Sequence, residues 1–537
     1  MAKLLRAFFF QSLFIFWYRF LLRQLKNLTV FHRTISNTFA STTTTSSQTK
    51  YQKFPSLLNR PDLNDHTLIF DVENTLLRSS SLFQYFMLVA FEAGGILRAI
   101  VLVVLYPFIY FSGEKMGLKI MVMVCFFGIK AERFRIGRSV MPKFFLEDVG
   151  SEIFEVVSKG GKKMGVSNLP RVMVESFLKE YLEIDFVAAK ELKMFCGYYV
   201  GLMDETQNVH ALKQVQEGKG SLDMIGIARF NNNHEIFSSC KEVYVVSQAD
   251  KRSWKKLAKK NYPKALIFHD GRLALTPTPL KSLAMLIWLP YGIFLSVIRI
   301  LLAFTLPFKL STPLLIFTGL RLTSSIPENA HSNKQNDNNK SNGHLYVCNH
   351  RTLLDPLYLS FSLQKKLIAV TYSLSKVSEI IAPIKTVRLS RNRDTDSKMM
   401  KRLLQQDDIV VCPEGTTCRE AYLLRFSPLF SEMSDEITPV AVDSHVSMFH
   451  GTTAGGLKCL DPVFFLSNPS PVYTVRLLNQ VYPSSYSYKN VEDCRFEIAN
   501  HVQGEIGNAL GFECTKLTRK DKYLILAGNE GVVSNRK

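Results

Sequence analysis

The chain has no Cys-x-x-Cys pair, no Cys/His cluster at zinc-finger spacing and, over residues 1–60, no Asp or Glu. The first two absences exclude the common structural zinc sites. The nine cysteines are scattered and odd in number across 537 residues, which argues against a disulfide framework. They read as reduced thiols of a protein facing the cytosol, most of them small core residues. Charge is scarce as well, at 21% of residues against 47% hydrophobic, and that balance excludes a mostly disordered chain. Length excludes a single small domain, because one core rarely serves more than about 250–300 residues. The charge leans one way: 66 Lys and Arg against 46 Asp and Glu give a net +20. Mean hydropathy is nonetheless +0.04. Basic faces beside apolar segments suit a membrane surface. Nucleic acid, the other usual partner of a basic chain, is not expected, since no recognised binding motif accompanies the charge.

The apolar residues fall in blocks. Residues 1–60 carry nine Lys and Arg, and residues 8–22 are apolar apart from Gln11, Ser12 and Arg19. That run is short of the roughly 20 residues a spanning helix needs, and no small-residue cleavage site follows it closely. The preferred reading is a membrane anchor with arginines reaching back to the cytosolic face. An acid-free, Ser/Thr-rich mitochondrial presequence is the alternative. A multi-pass protein of the endoplasmic reticulum is therefore expected, with the mitochondrion as the other location. Residues 99–111 and 116–129 are apolar blocks separated by Ser112-Gly113-Glu114-Lys115, which predicts a hairpin dipping into the bilayer. Residues 282–298, interrupted by Pro290 and Gly292 and continued past Arg299 at 300–308, predict a kinked or re-entrant membrane helix. Trp288 and Tyr291 would be its interface anchors. Buried core helices are the alternative for these blocks. The chain thus divides into an anchor and tether (1–60), an α/β domain (61–275), membrane-associated helices (276–326), a polar linker (327–343) and a second α/β domain (344–530).

In the first α/β domain, residues 66–71 (HTLIFD) read as a buried strand ending in Asp71, followed by Val72-Glu73-Asn74-Thr75. A carboxylate at the tip of a central strand is where chemistry sits in open α/β sheets. The pattern resembles the haloacid-dehalogenase superfamily, a Rossmann-type fold whose first motif is D-x-D-x-[TV]. The resemblance implies a nucleophile at Asp71, a general acid/base at the position of Glu73 and a phosphate-holding hydroxyl at Ser167, where the strand 163–167 ends. It makes the apolar pair at 99–129 the cap. The third motif should end in an acidic cluster holding Mg²⁺. Here residues 224–228 (MIGIA) lead to Arg229 and Asn233 instead, and a cation there opposes Mg²⁺ by charge. Glu73 is also one methylene too long. The domain is expected to keep the fold and to have lost phosphohydrolysis, leaving Asp71 an ordinary strand-end carboxylate.

The second α/β domain carries Val347-Cys348-Asn349-His350-Arg351-Thr352-Leu353-Leu354-Asp355-Pro356. His350 and Asp355 form H-x₄-D on a strand-to-helix loop, with Asp355 as N-cap and Pro356 opening the helix. A histidine needs such a carboxylate to act as general base, because the partner fixes the tautomer and stabilises the imidazolium. Alone the spacing is weak, and a surface pair is the bland reading. Three further blocks follow. Residues 385–393 (KTVRLSRNR) end in a basic cluster suited to phosphate. Residues 409–412 (IVVC) lead to Pro413-Glu414-Gly415-Thr416-Thr417-Cys418-Arg419-Glu420. Residues 437–442 (ITPVAV) are an apolar strand containing Pro439.

In this order the blocks resemble the glycerolipid acyltransferase family. Together with F-H-D-G-R-L at 268–273 and the dehalogenase-like domain, they resemble its land-plant, membrane-bound glycerol-3-phosphate acyltransferases over roughly residues 50–530. The resemblance implies His350 as catalytic base and Asp355 as its orienting acid. It assigns Arg391 to the second block, Glu414, Gly415 and Thr416 to glycerol phosphate, and Pro439 to the acyl side. Many relatives carry Arg directly after E-G-T; here that position is Thr417, so Arg419 is expected to take the phosphate role. Acyl-CoA is implied as co-substrate and glycerol 3-phosphate as acceptor, beside the lipid bilayer, with neither metal nor tightly bound cofactor. Lysophosphatidic acid is the expected product. The alternatives are a bifunctional enzyme releasing monoacylglycerol, a lysophosphatidate acyltransferase and a non-catalytic membrane scaffold.

Overall fold

The computed structural model describes residues 51–58, 60–204, 224–229, 235–326, 343–371, 379, 382–390, 392–485 and 491–530. The anchor and tether up to residue 50, nearly all of the 327–343 linker, Asn233 and Arg391 lie outside the described residues.

Two largely parallel sheets organise the chain. The first has six strands in the order Tyr51–Lys53, Glu242–Val245, Met224–Ala228, Thr67–Asp71, Lys162–Pro170 and Phe186–Lys190. All its neighbours pair in parallel. Its middle strands are continuous apolar runs because both faces are covered: Leu68, Ile69 and Phe70 are fully buried. Asp71 stands opposite Val166, so Ser167 follows directly at the same sheet edge.

The second sheet has seven strands in the order Thr386–Arg388, Ile368–Thr371, Ile409–Val411, Leu345–Cys348, Ile437–His445, Val472–Leu477 and Arg321–Ser325. Only the pair Ile437–His445 and Val472–Leu477 is antiparallel. Leu345–Cys348 is flanked on both sides, by Ile409–Val411 and Ile437–His445. The H-x₄-D loop and the E-G-T loop therefore leave the sheet from adjacent strands at the same edge, where open α/β sheets place their sites. The helix after H-x₄-D runs Asp355–Leu363, one residue earlier than expected, with Leu354 as N-cap. The cause is that the Asp355 carboxylate turns back to the amides of Arg351 and Thr352 instead of capping those ahead of it.

The apolar blocks differ from their sequence reading. The expected hairpin is three helices, Ile96–Val104, Tyr106–Phe111 and Glu114–Phe126, turning at Gly113 with φ +79°. At about 1.5 Å per residue none reaches across a bilayer core of about 30 Å. The second arm is core: Ile120, Val122, Val124, Cys125 and Phe126 are buried. Only the first arm shows an apolar face, through Leu97, Val104, Tyr110 and Phe111.

The segment read as kinked or re-entrant is one 27-residue helix, Pro279–Thr305, running through Pro290. Among the described residues it is the one helix long and apolar enough to cross a membrane. Its buried stripe at helical spacing is Ser282, Met285, Leu289, Gly292, Leu295, Ser296 and Arg299, while Leu280, Ile287, Tyr291, Phe294, Leu301 and Phe304 are exposed. The side facing protein mixes small, polar and apolar groups, while the side facing outward is made of large apolar ones. Gly292 is required by contact, since a Cβ there would lie 2.7 Å from the Ser467 carbonyl. Arg299 is buried and donates to the carbonyls of Leu466, Thr318, Asn468 and Pro469. Trp288, expected as an interface anchor, donates its indole N–H to the Ser467 carbonyl at 2.8 Å.

The F-H-D-G-R segment joins the two domains. Arg272 and Leu273 amides donate to Glu92 of the first domain. Asp270 accepts from Thr453, Ala454 and Gly455 of the second, and Arg272 pairs with the buried Asp461 at 2.6 Å.

Candidate active site

His350 is held by its backbone as well as its ring. Its N–H donates to Glu414 Oε1 at 2.6 Å, and its carbonyl accepts from the Cys418 amide at 2.8 Å. The E-G-T loop therefore clamps the H-x₄-D loop at both ends of one residue. Glu414 also accepts from the Leu424 amide at 2.9 Å, and burial pushes its pKa up to about 7. Glu414 is thus a buried brace between two loops. Gly415 adopts φ +64°, a conformation glycine takes without a Cβ penalty, and its amide donates to the Cys412 carbonyl.

The ring is held by Asp355. His350 Nδ1 lies 2.8 Å from Asp355 Oδ2. Asp355 also accepts from the amides of Arg351 at 2.7 Å and Thr352 at 3.0 Å, and from the Tyr473 hydroxyl. Hydrogen bonds of this number hold the side chain in one position. Tyr473 stacks on Tyr358 with centroids 3.8 Å apart. Burial works against an imidazolium at His350, but Cys412 and the Asp355 carboxylate oppose it and prevail, so its pKa stands above the ordinary 6.5. The Cys412 thiol is itself pushed up, by its bond to Cys348 and by burial. Atoms of His350, Asp355 and Cys412 lie within 4.8 Å of one another. With the Asp355 oxygens already accepting from five donors, this trio is a hydrogen-bonded set.

The remaining expected residues scatter. Pro439 is buried, pairs with Val347 beside the His350 strand, and accepts from the Leu478 amide. Arg419 is not open at the site: its guanidinium bonds the Thr452 hydroxyl at 2.8 Å and the Thr452 carbonyl, and lies 3.7 Å from Asp270. It is tied to the domain junction, which the expectation of a phosphate contact did not foresee. Sequence reading missed Arg351, which donates to the Cys418 and Glu420 carbonyls and pairs with Asp443. It missed Tyr473 and Lys522 as well. Only Arg351 lies inside a motif; the other two carry no local signal.

At the other sheet Asp71 accepts from the Asn74 amide at 2.8 Å and side chain at 3.0 Å. Glu73 Oε1 accepts from the Ser167 hydroxyl and from the amides of Asn168 at 3.0 Å and Leu169 at 3.2 Å. A hydroxyl and two amides converging on one oxygen form a donor cradle, and here the chain's own Glu73 carboxyl fills it. Burial, with Asp71 adding, raises the Glu73 pKa to about 8. Lys251, missed in the sequence, donates to the Glu73 carbonyl at 3.0 Å. Arg229 pairs with Glu114 of the helical cap at 3.2 Å. No group of three His, Cys, Asp or Glu gathers at Asp71 among the described residues. These residues do not fit Mg²⁺.

A carboxylate-backed histidine at the edge of a parallel sheet, joined to a dehalogenase-like domain, defines the class: an α/β acyltransferase with an appended phosphatase-like domain. Family models agree. Residues 67–246 match the RAM2-like glycerol-3-phosphate acyltransferase HAD-like domain, and residues 325–443 match the acyltransferase domain. The chain is 55% identical to "Probable glycerol-3-phosphate acyltransferase 2" of Arabidopsis thaliana, covering 91% of this chain and 94% of that one. It is 52% identical to "Probable glycerol-3-phosphate acyltransferase 3" of the same plant, covering 98% of both. Among solved structures, the 1-acyl-sn-glycerophosphate acyltransferase PlsC of Thermotoga maritima aligns at TM-score 0.29 and 14% identity, covering 43% of this chain and 97% of that one. The chain belongs to the glycerol-3-phosphate acyltransferase family of plants and is an acyltransferase.

Proposed function

We propose that this enzyme transfers an acyl group from acyl-CoA to a hydroxyl of glycerol 3-phosphate and releases lysophosphatidic acid. The observation that carries the reading is His350 Nδ1 at 2.8 Å from a carboxylate itself fixed by two amides and a tyrosine. That partner selects the tautomer with its proton on Nδ1, which leaves Nε2 to take the acceptor's proton. The hydroxyl oxygen then attacks the thioester carbon, a tetrahedral oxyanion forms, and the C–S bond breaks as CoA thiolate leaves and is protonated. General-base help is worth about 10²–10⁴-fold. The Gly415 amide, bonded to Cys412, is not a free donor for the oxyanion. No step needs a metal or a resident cofactor.

In this reading the Asp71 domain is a scaffold that does not hydrolyse phosphate, supported by Glu73 in the cradle and Arg229 at the metal end. The outward apolar face of Pro279–Thr305 rests in lipid, which keeps the acyl chain in the bilayer, and the endoplasmic reticulum is the proposed location. The test uses microsomes carrying wild type or His350→Ala, with labelled glycerol 3-phosphate and a panel of acyl-CoAs. Lysophosphatidic acid from wild type alone is expected. Monoacylglycerol as end product, lost on Asp71→Ala, would overturn the inactive-phosphatase part. Absence of product from every acyl donor would overturn the acceptor.

A further inference from the structure

The loop after Glu414 holds a cation that no motif contains. Lys522, on the helix Arg519–Ala527, is 7% exposed. Its ammonium donates to Thr416 Oγ1 at 3.3 Å, to Thr417 Oγ1 at 3.1 Å and to the Thr417 carbonyl. All three acceptors are neutral, and no carboxylate is bonded to it among the described residues. A buried charge is ordinarily paired, because leaving water uncompensated costs several kcal/mol. Burial accordingly pushes the Lys522 pKa down. The helix that carries it is well fixed. Thr518 and Asp521 form a capping box, and Tyr523 accepts Lys458 at 2.6 Å.

The two threonines are the informative part. A hydroxyl accepting from an ammonium keeps its own proton to donate. Neither the Thr416 nor the Thr417 hydroxyl has an acceptor among the described residues. Two hydroxyl donors polarised by one buried cation are the complement of an oxyanion. The same loop holds the His350 backbone through Glu414 and Cys418, so the two threonines and the base belong to one hydrogen-bonded unit. Arg419, the obvious cation in the sequence, is already tied to Thr452 and Asp270.

We propose that Lys522 is a positioning residue that acts through the Thr416 and Thr417 hydroxyls to hold the phosphate of the acyl acceptor. The proposal rests on glycerol 3-phosphate being that acceptor. The test is steady-state kinetics of the full chain in microsomes for Lys522→Met, Thr417→Val and the double variant. Expected are a rise of about tenfold or more in KM for glycerol 3-phosphate with Lys522→Met, a smaller rise with Thr417→Val, and a double variant no worse than Lys522→Met alone. The KM for acyl-CoA stays within twofold. A fall in kcat or thermal stability with KM for glycerol 3-phosphate unchanged would make Lys522 structural and overturn the proposal, as would equal rises in both KM values. Should Lys522→Met fail to accumulate, Thr417→Val and Thr416→Val decide by the same split. Wild type inert toward glycerol 3-phosphate but active on an unphosphorylated alcohol would instead defeat the acceptor reading, and this proposal with it.

Discussion

The Asp71 and His350 sites share one plan and differ in what their donors meet. Each lies where a buried strand of a parallel sheet runs out, with an adjacent loop offering hydroxyls and amides. At the first, Ser167 and the amides of Asn168 and Leu169 converge on Glu73, two residues beyond Asp71. At the second, the loop's carboxylate, Glu414, braces backbone instead, and the Thr416 and Thr417 hydroxyls keep their protons. The lesson is that a fold supplies the place, while the residues of each loop decide what its donors meet there.

The sharpest way to break the comparison is to neutralise the carboxylate at each site. Asp355→Asn keeps the shape but removes the charge that selects the His350 tautomer. A loss of about 10²–10⁴ in kcat is expected, the range of general-base help. Asp71→Asn is expected to leave acyl transfer unchanged. Both are read by initial rates in microsomes at matched protein. Equal losses in the two variants would show that the sites are coupled.

Proton affinity gives the next largest effect. His350 must be neutral to act as base, and its pKa stands above 6.5. Acyl transfer therefore rises with pH, with an acid limb whose midpoint lies above 6.5. Asp355→Asn lowers that pKa, so the limb moves to lower pH even as the plateau falls. A rate profile flat from pH 6 to 9 would remove His350 from the base role. Tyr473→Phe is milder. It takes one bond from Asp355 and one from Thr352, costing about 1–2 kcal/mol of stability by thermal melt and about tenfold or less in rate.

These expectations trace how far the sequence could be read. His350, Asp355 and Glu414 were legible because each sits in a motif whose spacing is local. Tyr473 and Lys522 were not, since they reach the site across 118 and 106 residues. Only the order of strands and the docking of the last helix bring them there. The ties of Arg419 were hidden for the same reason: its partner Asp270 belongs to the domain junction. The apolar blocks are a different case. Hydropathy does not distinguish lipid from core, so Val122 and Phe126, which are buried, read like Leu97 and Phe111, which are not. The strand end at Arg229 was legible as lacking an acid, yet its pairing with Glu114 depends on how the cap folds back.

The smallest effect concerns Glu73, and its sign separates a filled cradle from a free acid. Its folded pKa is raised to about 8, against about 4.3 in an unfolded chain. The folded state therefore holds the proton more tightly, and the stabilisation is complete below about pH 4.3 and lost as pH climbs through about 8. Glu73→Gln keeps the size and removes the titration. Near pH 5 the variant melts close to wild type, and above pH 8 it becomes the more stable of the two, while acyl transfer is unaffected at either pH. Glu73→Ala goes further by emptying the cradle, so that inorganic phosphate now raises its melting temperature although it does nothing for wild type. A wild-type protein that is itself stabilised by phosphate, with that response lost in Ser167→Ala, would show the cradle open and dissolve the contrast between the two sites.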